Sequence, residues 1–324
     1  AGRQTPGEMN SSPLAPSSVQ LKIPGKKFGV PVAMTIKDIG EVIKRFIFVA
    51  KVARESGFTG IQIHSAHGYL LSEFLSPDIN KRTDEWGGSL ENRTRIHVEI
   101  IKGIRKALGN DFPISLKLNS ADFQKGGFSP ADALESARIM ESAGIDLLEI
   151  SGGTYEQPRL LGLDNLSINP ERSENRKSSS IAREAYFLDY AEKIKKSISI
   201  PIIVTGGFRT KDAMESSIKS NACQMIGVGR PLCADPQSIR KLLSGQIKEL
   251  LTYEKSLSLG PWILSPSSPF RLIQAINGFG TQAWCYQQIK RMARNEEPDL
   301  NIRMFSALKN DIRDDLASFK ALKS

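Results

Sequence analysis

Short apolar runs alternate with longer amphipathic segments along most of the chain. The runs occupy residues 60–64, 114–118, 147–150, 202–205 and 225–228. Runs of this kind, rather than strictly alternating ones, are typical of parallel strands that are buried on both faces. The pattern therefore predicts five parallel strands.

The segments between the runs carry apolar residues at the 3.6-residue period of a helix. Helices are expected at about residues 37–55, 90–108, 130–143, 181–197, 211–220 and 236–244. In the first of them, apolar residues from Ile39 to Ala53 form one stripe. Glycine follows several helices, as at Gly57 and Gly144, and supplies the left-handed residue that ends a helix. The repeated order of strand, loop and helix predicts an α/β fold of parallel βα units.

The number of strands leaves two architectures open. Five strands could form an open sheet, or they could belong to a closed (β/α)8 TIM barrel, which has eight. The barrel is favoured, which implies that its first three βα units are missing from this chain. Residues 1–250 are then a partial barrel that begins with a loop-like segment, residues 1–35. Residues 251–324 are predicted to be a linker, followed by C-terminal helices at about 270–294 and 304–322.

Composition excludes several classes of protein. The chain has 324 residues, 40% of them hydrophobic and 24% charged, as in ordinary globular proteins. No apolar run approaches the ~20 residues that cross a bilayer, and no nucleic-acid recognition module is evident, so neither a membrane nor nucleic acid is expected as a partner. Cys223, Cys233 and Cys285 form no disulfide framework, so a reducing, cytoplasmic location is expected. The net charge of +9 favours an anionic cofactor or substrate.

A group of polar side chains follows the first predicted strand. His64 ends the strand, and His67 and Tyr69 follow within one short loop. Ligands of α/β folds bind at the carboxyl ends of the strands. Two imidazoles can donate hydrogen bonds to one substrate oxygen, and a phenol can give its proton to a carbanionic carbon. Two other interpretations stay open: histidines with only a packing role, and a zinc site for which no further ligand is suitably spaced.

Glycine-containing loops follow the last two predicted strands. Gly206 and Gly207 follow the fourth strand, and Gly229 and Arg230 follow the fifth. Glycine lets backbone N–H groups approach a phosphate, and the last two loops of a barrel usually bind one. Gly-Gly is also common in tight turns. Lys117, in the middle of the second strand, should reach a partner at the mouth of the barrel, unless that strand is an open edge.

Residues 64–77, with 80–89 and 91–93, resemble the signature of the Old Yellow Enzyme family of NADH:flavin oxidoreductases and ene reductases. The resemblance implies a TIM barrel that binds FMN and uses NADH or NADPH as reductant. It implies that His64 and His67 bind the electron-withdrawing group of the substrate and that Tyr69 is the proton donor. Trp86 stands where the family usually has tyrosine, a departure at a packing position.

The same resemblance assigns cofactor contacts. It implies that Gly206, Gly207, Gly229 and Arg230 hold the FMN phosphate. Lys117 stands where the family usually has arginine, against the N1–O2 edge of the flavin. A positive charge there stabilises the anionic reduced flavin, although lysine lacks the bidentate fork of arginine.

Together these features predict an FMN-dependent NAD(P)H oxidoreductase that reduces activated alkenes of the α,β-unsaturated carbonyl type. Residues 1–4 look like the end of a family segment that follows the third barrel strand, which supports a truncated chain. One alternative is an inactive fragment or binding protein that keeps the signature but cannot hold FMN. Another is a phosphate-binding aldolase or isomerase, for which Lys117 is the sole evident Schiff-base candidate. The sequence determines neither the small-molecule substrate nor the oligomeric state.

Overall fold

The structure, a computed structural model, describes residues 1–23, 27–156 and 187–321. Within these ranges the strands form two parallel sheets. The smaller sheet pairs β1 (Leu14–Ala15) with β2 (Val32–Ala33). The larger sheet contains β3 (Ile61–Ser65), β4 (Ile114–Asn119), β5 (Leu147–Ser151), β6 (Ile202–Thr205) and β7 (Met225–Gly227).

The described helices follow and connect these strands. They are α1 (Ile36–Glu55), α2 (Leu70–Leu75), α3 (Leu90–Leu108), α4 (Pro130–Ala143), α5 (Leu188–Lys195), α6 (Lys211–Lys219), α7 (Arg230–Ala234), α8 (Ser238–Leu243), α9 (Arg271–Met292) and α10 (Met304–Ala321). In the part of the chain that is described, no helix combines the length and the apolar character needed to cross a membrane.

Local sequence sets the ends of the longest helices. Thr35 and Ser129 form capping boxes at the starts of α1 and α4, and the Ser89 hydroxyl caps α3. Gly109 (φ 74°) and Gly144 (φ 111°) adopt positive φ values where α3 and α4 end. As a result, α3 and α4 begin and end at the residues predicted from the sequence.

The five-stranded sheet is parallel throughout, and its strands lie side by side in the order of the sequence. His64 of β3 is in register with Lys117 of β4, which is in register with Glu149 of β5. Because strands in register point their side chains to the same face, these three residues form one row across the sheet. In the described ranges β3 and β7 each pair with one neighbour, so they are the two edges of this sheet.

The two faces of the sheet differ in character. Alternate residues such as Ile63, Leu116 and Leu148 are buried in the main apolar core, where they pack with the helices. The residues between them, including Gln62 and Lys117, are polar and less buried. The sequence predicted strands that are apolar on both faces, whereas in β3 and β4 buried apolar residues mostly alternate with polar, less buried ones. The polar positions lie on the face opposite the helices, and that face carries the candidate site.

Some elements differ from the sequence prediction. Residues 1–35 were predicted as a loop, but they contain β1 and β2, which are too short to show a period. The short helices α2 and α7 were not predicted for the same reason. Of the helix predicted at 181–197, residues 181–186 lie outside the described residues and the rest forms α5. Trp86 is buried in the main core, as its proposed packing position requires.

The C-terminal helices form a core of their own. Trp284 of α9 packs with Met304 and Ala307 of α10, and this cluster includes Ala234 of α7. The indole N–H of Trp284 donates to the Ile302 carbonyl at 3.0 Å. The segment after residue 250 is therefore attached to the loop region that follows β7. The proposed division at residue 250 stays a prediction.

Candidate active site

The structure brings His64, His67 and Tyr69 together at the carboxyl end of β3. The ring centroid of His64 lies 5.4 Å from that of His67 and 5.3 Å from that of Tyr69. The loop can bring them together because His67 (φ 62°) and Gly68 (φ 74°) both have left-handed backbone conformations. These turn the chain sharply before α2 begins at the residue after Tyr69.

Hydrogen bonds fix both the backbone and the ring of His67. Its N–H donates to Asn119 Oδ1 at 3.0 Å, and its carbonyl accepts from Gln4 Nε2 at 2.9 Å. Its Nε2 lies 2.8 Å from the Ser151 hydroxyl at the end of β5. The N-terminal segment and β4 therefore hold the His67 backbone in place, and β5 holds its imidazole.

Both imidazoles are neutral near pH 7. Burial lowers the pKa of His67 to about 3, and the charges of Lys117 and His64 act in the same direction. Burial also lowers the pKa of His64, with Lys117 adding to the effect and Glu149 opposing it. A neutral imidazole has one N–H donor and one acceptor nitrogen. In the tautomer in which the Ser151 hydroxyl donates to Nε2, His67 keeps its Nδ1–H as a donor.

A second phenol, Tyr155, contacts the predicted proton donor. The hydroxyls of Tyr69 and Tyr155 are 2.9 Å apart, and the ring centroids are 6.0 Å apart. Burial raises the pKa of Tyr155, and its hydrogen bond with Tyr69 adds to the shift, so Tyr155 stays protonated. Tyr155 was not predicted as a site residue. Its position four residues after the end of β5, in the loop at the carboxyl end of that strand, is the signal that could have identified it.

Lys117 lies in an ion pair on the polar face of the sheet. Its Nζ is 2.8 Å from Glu149 Oε1, and Gln62 Nε2 donates to Glu149 Oε2 at 2.8 Å. Because β4 pairs with a strand on each side, the alternative of an edge-strand lysine is wrong. Glu149 was also missed by the sequence analysis. Like Lys117, it is a charged residue within an apolar run, residues 147–150, and such a residue needs a partner when it is buried.

The two glycine loops follow adjacent strands. Gly206 (φ 131°) and Gly207 (φ 90°) follow β6 and both adopt positive φ values. Thr205 of β6 is in register with Gly227 of β7, so the loop that contains Gly229 begins beside them. A Cβ atom built on Gly229 would meet no other atom within 4 Å. The backbone at Gly229 is therefore open to a ligand at the carboxyl end of β7.

Arg230 lies next to this loop and is one of two arginines that converge on one carboxylate. Its Nη1 is 3.0 Å from Glu254 Oε1, and Arg209 Nη2 is 2.6 Å from the same oxygen. Arg209 follows the first glycine loop, and Arg230 follows the second. Glu254 therefore links both loops to the segment that leads to the C-terminal helices.

The residues present fit an FMN molecule. Glycine backbone at adjacent strand ends, with Arg230 beside it, suits a phosphate, and Lys117 provides a cation on the same polar face. The imidazoles and Tyr69 stand at the carboxyl end of β3, the same end of the sheet. Across the described residues no group of three or more His, Cys, Asp or Glu side chains could hold a metal ion.

Parallel βα units with a polar face that carries acid–base groups and open glycine loops define a cofactor-binding enzyme fold of the α/β class. The sequence profile of the NADH:flavin oxidoreductase / NADH oxidase family matches residues 1–249, and the chain belongs to this family. The family predicted from the signature is thereby confirmed, and FMN is the cofactor that membership of this family implies.

Individual relatives agree with the family assignment. The chain is 39% identical over 210 residues to the NADH-dependent flavin oxidoreductase iccE of Talaromyces variabilis. This match covers 64% of the chain and 49% of iccE, so the chain spans about half the length of that relative.

Two solved structures are similar in fold. A 2-naphthoyl-CoA reductase, solved with 2-naphthoyl-CoA, has a TM-score of 0.63 and 32% identity over 74% of this chain and 34% of its own. The old yellow enzyme homologue of Zymomonas mobilis has a TM-score of 0.59 and 22% identity over 76% of this chain and 65% of its own. These similarities confirm the predicted α/β fold of the (β/α)8 barrel class. The absence of the first three units stays a prediction.

Proposed function

We propose that this chain is the FMN-binding part of an NAD(P)H oxidoreductase that reduces activated alkenes, such as α,β-unsaturated carbonyl compounds. The observation that carries the proposal is the convergence of two neutral imidazoles and a phenol at one strand end. FMN, when bound, supplies the hydride chemistry, from NADH or NADPH to the β-carbon of the alkene. Because the relative iccE is described as NADH-dependent, NADH is the first reductant to test.

The protein side chains provide polarisation and a proton. His64 and His67 donate hydrogen bonds to the activating oxygen of the substrate, on which negative charge grows as the β-carbon receives hydride. Tyr69 gives its hydroxyl proton to the α-carbon, which completes the saturated product. Tyr155, which keeps its own proton, donates to the Tyr69 oxygen at 2.9 Å as negative charge develops there.

The remaining predicted residues hold the cofactor in this proposal. Gly206, Gly207 and Gly229 offer backbone N–H groups to the phosphate, and Arg230 adds a guanidinium. Lys117 would place its positive charge against the flavin ring. The rival hypothesis, a chain that keeps these residues without holding FMN, is favoured by the two open edges of the described sheet.

The test begins with flavin binding and continues with each half-reaction. Residues 1–324 are titrated with FMN, and binding is followed by the change in flavin fluorescence. Reduction of the bound flavin by NADH and its reoxidation by an enone are then measured separately by stopped flow. Replacing Tyr69 with Phe should slow reoxidation by roughly 100- to 10,000-fold, the usual contribution of a general acid, and leave reduction by NADH unchanged.

Tyr190→Phe is the matched control. Tyr190 lies on α5 and packs edge-on against Phe123, outside the cluster of His64, His67 and Tyr69. It should change neither half-reaction. Failure of the wild-type chain to bind FMN would favour the rival hypothesis, and equal slowing of both half-reactions by Tyr69→Phe would contradict the role of Tyr69 as the acid.

A further inference from the structure

Glu149 is an acidic residue in the middle of a strand whose neighbours are apolar. It lies on β5, in register with Lys117 of β4, and its side chain shares the polar face with that lysine. Only 8% of Glu149 is exposed. Burying a carboxylate in such a position costs free energy unless it is paired, so its contacts bear on its role.

Groups from three other strands hold Glu149. Lys117 Nζ from β4 is 2.8 Å from one carboxylate oxygen, and Gln62 from β3 donates to the other at 2.8 Å. The hydroxyl of Thr205, at the end of β6, also hydrogen-bonds the carboxylate. Burial raises the pKa of Glu149, but Lys117 and these hydrogen bonds more than offset it, so the pKa is lowered and Glu149 is an anion at neutral pH.

The consequence for Lys117 is both geometric and electrostatic. Lysine has a flexible stem and a single point charge, so it does not fix its own position as a bidentate arginine can. Glu149 removes that freedom by holding Nζ in an ion pair. At the same time its negative charge cancels part of the positive potential that Lys117 would otherwise project from the sheet.

We propose that Glu149 is a positioning residue that orients Lys117 toward the flavin and sets how strongly the site favours the reduced cofactor. The inference rests on the proposed function, because it requires FMN to lie against Lys117. Reduction adds negative charge to the flavin, so an uncompensated Lys117 should favour the reduced form more strongly than the ion pair does. Glu149 would therefore limit how strongly the site favours the reduced form of a bound flavin.

The test measures the cofactor equilibrium rather than turnover. Wild-type chain and the Glu149→Gln variant are first titrated with FMN by fluorescence. Each loaded protein is then equilibrated with a reference redox dye, and the ratio of reduced to oxidised flavin is read from the absorbance spectrum. Glutamine keeps the size of Glu149 and one acceptor oxygen but replaces the other oxygen with an NH2 donor and removes the charge. The reduction equilibrium constant should rise at least about tenfold, as unit charges interacting through a partly buried site would produce.

Two further variants complete the design. Lys117→Gln should lower the same constant, because it leaves Glu149 as the nearest charge. Glu135→Gln is the matched control, since Glu135 forms an ion pair with Arg138 on the exposed side of α4 and should change nothing. For the case in which Glu149→Gln does not unfold cooperatively, the double variant Lys117→Gln/Glu149→Gln is compared with Lys117→Gln alone. The double variant should have the higher constant.

The outcomes distinguish a failure of the proposed function from a failure of the proposed role of Glu149. If the wild-type chain takes up no FMN, both the proposed function and this inference are overturned. If FMN binds and Lys117→Gln shifts the equilibrium while removal of the Glu149 charge does not, only the role of Glu149 is overturned. A shift with every charge-removing variant, Glu135→Gln included, would show a general charge effect and would also overturn it.

Discussion

The two faces of the five-stranded sheet are built from alternate residues of the same strands, yet one face is apolar and the other is polar. On the helix-covered face, Leu116 and Leu148 are fully buried among other apolar side chains. On the opposite face, Lys117 and Glu149 pair with each other, and His64 stands beside them. One face is therefore apolar and packed, and the other carries charged and polar side chains.

This difference supports the proposed location of the active site on the polar face. Apolar burial stabilises the folded state in proportion to the area removed from water, and the helix-covered face has that role. Buried charges contribute little or nothing to stability even when they are paired, so their presence on the other face calls for another reason. The proposed function supplies one, because a bound flavin would need fixed polar groups and cations around it.

The largest expected effect comes from the packed face. Leu116→Ala removes a fully buried side chain from the centre of β4 and should leave a cavity. The free energy of unfolding should fall by about 2–5 kcal/mol, as for other buried leucines. Urea titration followed by circular dichroism measures this change. A loss no larger than that of a surface substitution would show that the apolar face is not the core.

An intermediate effect is expected from two buried histidines, one associated with each face. His97 of α3 is fully buried and bonded to Ser65 at 2.6 Å, and His67 belongs to the candidate site. Burial lowers the pKa of both to about 3. The folded state therefore binds fewer protons than the unfolded state between about pH 6.5 and that value. Stability should decrease as the pH falls through this window.

The size of this pH effect can be measured by substitution. Between about pH 7 and pH 5, each histidine should cost about 2 kcal/mol, since the penalty grows by 1.36 kcal/mol for each pH unit below 6.5. Urea titrations at about pH 7 and pH 5 should therefore show that the free energy of unfolding falls less between these values for His97→Gln than for the wild type. The His67→Gln variant should likewise lose less of its free energy of unfolding than the wild type as the pH is lowered. If it leaves the wild-type loss intact, the His67 loop opens to solvent at low pH and the two environments are not equivalent.

The sequence predicted the regular elements well because their signals are local. Ser89 and Ser129 cap helices that Gly109 and Gly144 terminate, and all four can be identified without knowing the rest of the structure. The five strands were likewise found from short apolar runs. The two-residue strands β1 and β2 and the short helices α2 and α7 were missed because each is too short to show two repeats of its period.

The partners within the site could not be predicted in the same way. Lys117 and Glu149 are 32 positions apart, and Tyr69 and Tyr155 are 86 apart, so only the fold brings them into contact. The resemblance to a family identified His64, His67 and Tyr69 because their spacing is local. It did not identify Glu149, for which we propose a role that acts through another residue. The roles of all these residues stay predictions until the variants are measured.

The smallest expected effect tests the polar face directly. Ser115 precedes Leu116 on β4, and its hydroxyl accepts a hydrogen bond from Gln62 Nε2 at 3.0 Å on the less buried face. Ser115→Ala should therefore lower the free energy of unfolding by less than about 1 kcal/mol, the usual net contribution of such a bond. The urea titration used for Leu116→Ala measures both variants under identical conditions. If Ser115→Ala lowered the free energy of unfolding nearly as much as Leu116→Ala, the polar face would be packed as tightly as the core. The proposed difference between a packed face and a polar face would then be wrong.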